Sequence, residues 1–283
     1  MQKTAIQIQK KEITEYFVYT RLAVLCKDQH NAEVLRSIGE AEKNHALFWQ
    51  KITGMEIKPS RFRIFRNILK ARVLGLTFAL KQMEKNEGTA SRNYMELVNT
   101  FPEAGNIAGE EAEHEKELLN MLDEERLRYA GSVVLGLNDA LVELTGALAG
   151  FTLALGSTRL ISLTGLITGV SASFSMTTSE YLSCKAEGDP KALKSALYTG
   201  IAYVITVALL ILPYLLLQNK FIALAITLIM AVLIIMVFNY YLATAKDLNF
   251  KKRFTEMAVI SMGVAALSFA VGYLFQKILG VDI

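Results

Sequence analysis

Residues 131–155 read GSVVLGLNDALVELTGALAGFTLAL, an apolar run broken only by Asp139 and Glu143. As a helix it would be about 37 Å long, enough to cross a hydrocarbon layer about 30 Å thick. Four further runs follow at 160–183, 192–217, 221–245 and 256–278. Their connections are short and polar. Ser157-Thr158-Arg159 and Gln218-Asn219-Lys220 read as tight turns, and Asp189-Pro190 as a helix start. A soluble core has no use for so much continuous apolar sequence, because its helices must also show a face to water. The spacing predicts five transmembrane helices.

Upstream the composition changes. Of 30 Lys/Arg and 27 Asp/Glu in 283 residues, only 10 and 8 fall after Ala130. The first part is therefore expected to be a water-soluble domain over residues 1–128, with the membrane domain over 129–283. Basic residues set the expected orientation. Lys185, Lys191, Lys194, Lys246, Lys251, Lys252 and Arg253 lie in connections on the side of the soluble domain, against Arg159, Lys220 and Lys277 opposite. This favours a cytosolic N-terminal domain and a C-terminus on the other side. Met1 to Lys11 is polar, so no cleavable signal peptide is expected. The net charge of +3 gives no reason to expect nucleic acid as a partner. Cys26 and Cys184, one in each part, are expected as free thiols rather than a disulfide or metal knuckle.

The soluble part carries helical periodicity throughout. Helices are expected at about 8–26, 31–52, 73–99 and 103–128, with a basic amphipathic segment at 61–72. Four principal helices with short connections predict a four-helix bundle, so the fold class is all-α throughout. Two of the three histidines repeat one pattern. Glu42-Lys43-Asn44-His45 and Glu111-Ala112-Glu113-His114 are both E-x-x-H, which puts carboxylate and imidazole on one helix face. Glu84 and Glu87 have the same spacing, and Glu12 and Glu15 offer acids on the first helix. Two such pairs on alternate helices, backed by acids on the other two, form a two-metal carboxylate set suited to Fe(II) or Mn(II). The third histidine, His30, is expected at the surface.

The spans carry chemistry of their own. Asp139 and Glu143 share one face of the first span, and Met176 and Glu180 share one face of the second. Carboxylates are costly in lipid and mark paths or partners. With no Lys or Arg deep in the spans, a cation is the simplest species to satisfy them. Gly146, Gly150, Gly165, Gly169 and the serines around 171–175 favour close helix approach. There is no G-x-x-x-x-G-K-[ST] loop, so no nucleotide is expected.

On these residues the N-terminal part resembles the rubrerythrin-like branch of the ferritin-like superfamily. Glu12 followed by Tyr19-Thr20-Arg21-Leu22-Ala23 fits the first-helix phasing of that branch, which selects Glu12 over Glu15. The resemblance implies a diiron site of Glu12, Glu42, His45, Glu84, Glu87, Glu111 and His114, and leaves open whether it oxidises the iron that it binds. No rubredoxin-like C-x-x-C accompanies it. The C-terminal part resembles the vacuolar iron transporter family. The likeness rests on Gly136-Leu-Asn-Asp-Ala-Leu-Val-Glu143, on Ser175-Met-Thr-Thr-Ser-Glu-Tyr-Leu-Ser183, on Thr199-Gly-Ile-Ala-Tyr203 and on Leu212-Pro213. It implies a homodimer of five-span subunits in a prokaryotic cell membrane. Such a protein exports Fe(II), and in some members Mn(II), from the cytosol in exchange for protons, along a path including Asp139, Glu143, Met176 and Glu180. The long Glu-rich insertion of plant-type members is replaced by the short stretch from Lys185 to Lys191. The competing reading is a membrane-anchored diiron oxidase or peroxidase whose spans serve as anchor.

Overall fold

The computed structural model describes residues 2–26, 28–87, 105, 107, 109–110, 113–114, 118 and 129–279, with backbone alone at 84–87, 275–276 and 279. The described residues are helical apart from short connections. The chain divides into two compact units, Met1–Arg126 and Leu127–Ile283.

The first unit contains α1 (Gln2–Leu25), α2 (Gln29–Thr53), α3 (Arg61–Leu74) and α4 (Leu76–Glu87). Local chemistry fixes their ends. The Asp28 side chain accepts from the Asn31 amide and starts α2, the N-cap role expected of Asp. Gly54, at φ 67°, closes the same helix and donates its N–H to the Gln50 carbonyl. Ser60 caps α3.

One expectation is corrected here. The helix expected to start at Val73 is interrupted by Gly75 at φ 98°, so α3 runs on to Leu74 and α4 starts at Leu76. A residue with a Cβ would be strained at that φ. The later part of that helix, 88–99, lies outside the described residues. So does most of the helix expected at 103–128, whose described positions (105, 107, 109, 110, 113, 114 and 118) are helical.

The α1–α2 pair forms the spine of this unit. Val18, Tyr19 and Leu22 of α1 pack with Leu35 and Ile38 of α2, joined by Ile64, Leu80, Met83 and Leu118. A second apolar cluster joins Ala5, Ile8, Trp49 and Ile107. Antiparallel packing thus leaves a layer between the two clusters, at Glu12 on α1 and Glu42–His45 on α2.

The second unit is five helices, each long and apolar enough to cross a membrane: α5 (Ala130–Ala154), α6 (Thr158–Ala186), α7 (Ala192–Leu216), α8 (Lys220–Ala245) and α9 (Phe250–Leu279). α6 runs three residues beyond the expected span, and α9 starts six residues early. Helix α5 packs against all four others. The shared core contains Leu141, Leu144 and Leu148 of α5, Ile161 of α6, Tyr203, Leu210 and Tyr214 of α7, and Ala231 and Ile235 of α8.

Apolar contact discriminates poorly between helices in lipid, where small residues and interhelical hydrogen bonds set the register. Thr199 Oγ1 donates to the Ser132 carbonyl at 2.9 Å, Ser261 Oγ to the Leu141 carbonyl at 2.9 Å and Thr227 Oγ1 to the Leu210 carbonyl at 3.0 Å. The backbones of α5 and α7 approach closely at Gly136. A Cβ built on Gly136 would fall 2.3 Å from the Thr199 carbonyl oxygen.

Candidate functional site

In the first unit, α1 contributes Glu12 and α2 contributes Glu42 and His45, each at most 3% exposed. One ligand-type atom from each lies within 4.8 Å of the others, close enough to share one metal ion. The i, i+3 spacing puts Glu42 and His45 on one face of α2. Gly39, one turn earlier, lets that face approach α1: its Cβ would touch Tyr19 Cβ and Thr20 Oγ1 at 3.4 Å. Glu12 lies two turns before Tyr19, on the same face of α1.

His45 Nε2 lies 2.8 Å from Glu110 Oε2. In the Nε2–H tautomer His45 donates to that carboxylate, which directs the Nδ1 lone pair to the side where Glu42 Oε2 lies at 3.7 Å. That distance is too long for a hydrogen bond, but it suits two ligands of one ion. A carboxylate on the distal nitrogen is the usual partner of a metal-binding imidazole. His114 Nδ1 is 4.0 Å from Glu42 Oε1, and its ring centroid is 6.1 Å from that of His45. Glu42 therefore stands between the two imidazoles. Glu15 is placed differently: its Oε2 pairs with Lys11 Nζ at 3.2 Å. Two carboxylates and an imidazole in a buried layer fit a hard or borderline divalent ion such as Fe(II) or Mn(II).

Of the other expected ligands, Glu84 and Glu87 are placed on α4 by backbone alone, and Glu111 lies outside the described residues. Glu110 was missed in the sequence. Its only sequence signal is the i, i+4 spacing to His114, which does not separate it from the neighbouring acids. Trp49, the chain's only tryptophan, is fully buried one turn beyond His45. His30 is exposed.

In the second unit, α5 and α6 place the four expected path residues. Glu143 is about 20 Å along α5 from Ala130, near the middle of the helix. It is exposed, yet its Oε2 accepts from the hydroxyl of fully buried Tyr203 at 3.0 Å. Asp139 is half-buried one turn earlier, and Met176 is half-buried against the core. Glu180 Oε1 accepts from Ser132 Oγ at 2.7 Å and from Cys184 Sγ at 3.6 Å.

The expected scarcity of Lys and Arg inside the spans does not leave these acids without hydrogen-bond donors. Two of them are held by neutral donors, a phenol and a hydroxyl, on neighbouring spans. A neutral donor fixes the position of a carboxylate while leaving its charge available to a cation. Sequence reasoning missed Ser132, Tyr203 and Cys184. It missed Asn138 as well, whose Oδ1 is buried with no hydrogen-bond partner among the described residues. No periodicity reveals which helix a hydroxyl will face.

Residues 130–192 match the sequence model of the VIT family. The matched segment spans α5, α6 and the start of α7, and so contains Asp139, Glu143, Met176 and Glu180. No curated protein matches the chain.

Proposed function

We propose that the chain moves ferrous iron, and on the same chemistry Mn(II), out of the cytosol in exchange for protons. On this reading the N-terminal unit binds iron on the cytosolic side. The observation that carries the reading is the set of membrane-depth carboxylates, Asp139, Glu143 and Glu180, two of them positioned by hydroxyls, inside the segment that matches the VIT family. An anchor has no need of such groups.

Glu180 and Met176, one turn apart on α6, offer the ion a carboxylate and then a thioether. The thioether is a weaker ligand for Fe(II) than a second carboxylate, which suits a step that must release its cargo. Asp139 and Glu143 follow on α5, with Asn138 Oδ1 as a neutral oxygen nearby in sequence. A carboxylate in a low-dielectric path is stable holding a cation or a proton and costly bare. Loss of iron from one side is thus coupled to proton uptake from that side. Exposure of Glu143 on the single subunit supports a homodimer in which the second subunit covers it.

In the N-terminal unit a resident ion pair would be held by Glu12, Glu42, His45 and His114, with Glu84, Glu87 and Glu111 completing the set. Such ions supply oxygen-dependent redox chemistry when bound. The protein's own contribution is to bury the ligands and orient His45 through Glu110. Ferric product would not be cargo for a divalent path, so the reading assigns this unit chiefly to binding.

Asp139→Asn in reconstituted full-length protein tests the proposal. It keeps size and polarity but removes the titratable charge. It should stop Fe(II) flux driven by a pH gradient while leaving iron bound by the N-terminal unit unchanged. Wild-type flux in this variant would remove Asp139 from the path.

A further inference from the structure

Helix α3 has two apolar faces, and the bundle uses one of them. Ile64 is buried in the core of the first unit, with Ile68 and Ala71 packed beside it. On the other side Phe62, Phe65, Leu69 and Val73 are 71%, 64%, 47% and 63% exposed. Their spacing of three, four and four residues makes one continuous stripe, about 16 Å long. Leu69 belongs to this exposed stripe although Ile68 beside it belongs to the core.

At 100° per residue, Arg61 and Arg72 flank the stripe on one side, and Arg63, Arg66 and Lys70 on the other. Helix α3 has five basic residues and no acidic one, and no Asp or Glu occurs from residue 57 to residue 83. The crowding of like charge is felt locally. Lys70, whose ammonium hydrogen-bonds to Gln82, has its pKa pushed below the usual lysine value, first by burial and then by Arg66.

An exposed aromatic and aliphatic stripe bordered by Arg and Lys matches a surface that is apolar beneath and anionic on top. A second copy of the same face would set five positive charges against five, a like-charge arrangement that disfavours association. A chain with five membrane-length helices works at a bilayer, and a bilayer leaflet is a surface of that kind. From this placement we infer that α3 is a lipid-docking element. Phe62, Phe65, Leu69 and Val73 insert below the headgroups of an anionic leaflet, and the flanking Arg and Lys pair with lipid phosphates. The inference is independent of whether the spans carry iron.

The test uses the full chain in nanodiscs of phosphatidylcholine alone or with phosphatidylglycerol. In a Cys26→Ser, Cys184→Ser background, a fluorophore is placed at Phe62→Cys or Phe65→Cys, with exposed Leu47→Cys on α2 as control. Lipid-borne quenchers should reach both α3 labels in the anionic discs, far less in the neutral ones, and the control in neither. Adding Arg63→Gln and Arg66→Gln should shift the docked-to-free ratio by about 25-fold, at about fivefold per basic residue. Should the cysteine-free background fold poorly, trypsin cleavage after Arg61, Arg63 and Arg66 in the unaltered chain gives the same information. Cleavage there should be slowed by anionic discs and restored by high salt. Labels that stay water-accessible in anionic discs overturn the inference, as does equal docking on neutral and anionic lipid. Labels shielded in detergent and coupled to each other would assign the face to a second copy and overturn it too.

Discussion

Gly136→Ala adds one methyl group where α5 and α7 meet backbone to backbone. The new Cβ would lie 2.3 Å from the Thr199 carbonyl oxygen and 3.0 Å from its carbonyl carbon. A tolerable C···O contact needs about 3.3 Å, so α5 and α7 must part by about 1 Å. The neighbouring Thr199–Ser132 hydrogen bond, 2.9 Å long, would then exceed bonding range. Overpacking of this kind costs about 1–3 kcal/mol, and a lost interhelical hydrogen bond in a membrane bundle adds about 0.6 kcal/mol. Gly263 on α9 is the matched control, because an added Cβ meets nothing within 4 Å. There Ala should be neutral or gain up to about 1 kcal/mol of helix propensity. Unfolding of the two variants in mixed detergent should therefore differ by about 2–4 kcal/mol. Because Glu143 and Tyr203 lie further along the same helix pair, Gly136→Ala should also slow transport. Equal stability of the two variants would refute the packing account of α5 against α7.

Further outcomes follow from the two sites. Glu42→Ala with Glu111→Ala should abolish metal loading of the N-terminal unit while the spans stay folded, checked by metal content per subunit and circular dichroism. Binding of a paramagnetic divalent ion such as Mn(II) or Co(II) should quench Trp49 fluorescence, and His45→Ala should remove that quenching. Tyr203→Phe deletes the donor to Glu143 without changing the ring. A hydrogen bond to a charged group contributes about 1.5–3 kcal/mol, so iron flux at low iron should fall about tenfold or more, measured in proteoliposomes.

The five spans were legible because membrane crossing needs length and apolar character, and both are written in consecutive residues. Their ends were less so. Lys251, Lys252 and Arg253 are polar and read as a connection, yet they form the first turns of α9. The break at Gly75 was hidden by apolar periodicity continuing on either side of it. In the first unit the Glu42–His45 pair was visible from spacing on one helix. The role of Glu110 depends on which of several neighbouring acids faces His45, a matter of tertiary placement. The same reason hides Ser132 and Tyr203, since pairing between helices far apart in sequence leaves no local pattern. The acids within the spans are visible in the chain; the hydroxyls that hold two of them follow only from how the helices pack.

On the proposed function, the acids of α5 and α6 exchange iron for protons. Simultaneous recording of Fe(II) and proton movement in proteoliposomes of the full chain, with separate dyes for each, tests it most directly. Fe(II) flux in one direction should be matched by proton flux in the other, both lost together in Asp139→Asn. Iron flux without proton counterflow would contradict the exchange, and an absence of any iron flux from a folded, metal-loaded protein would contradict transport itself.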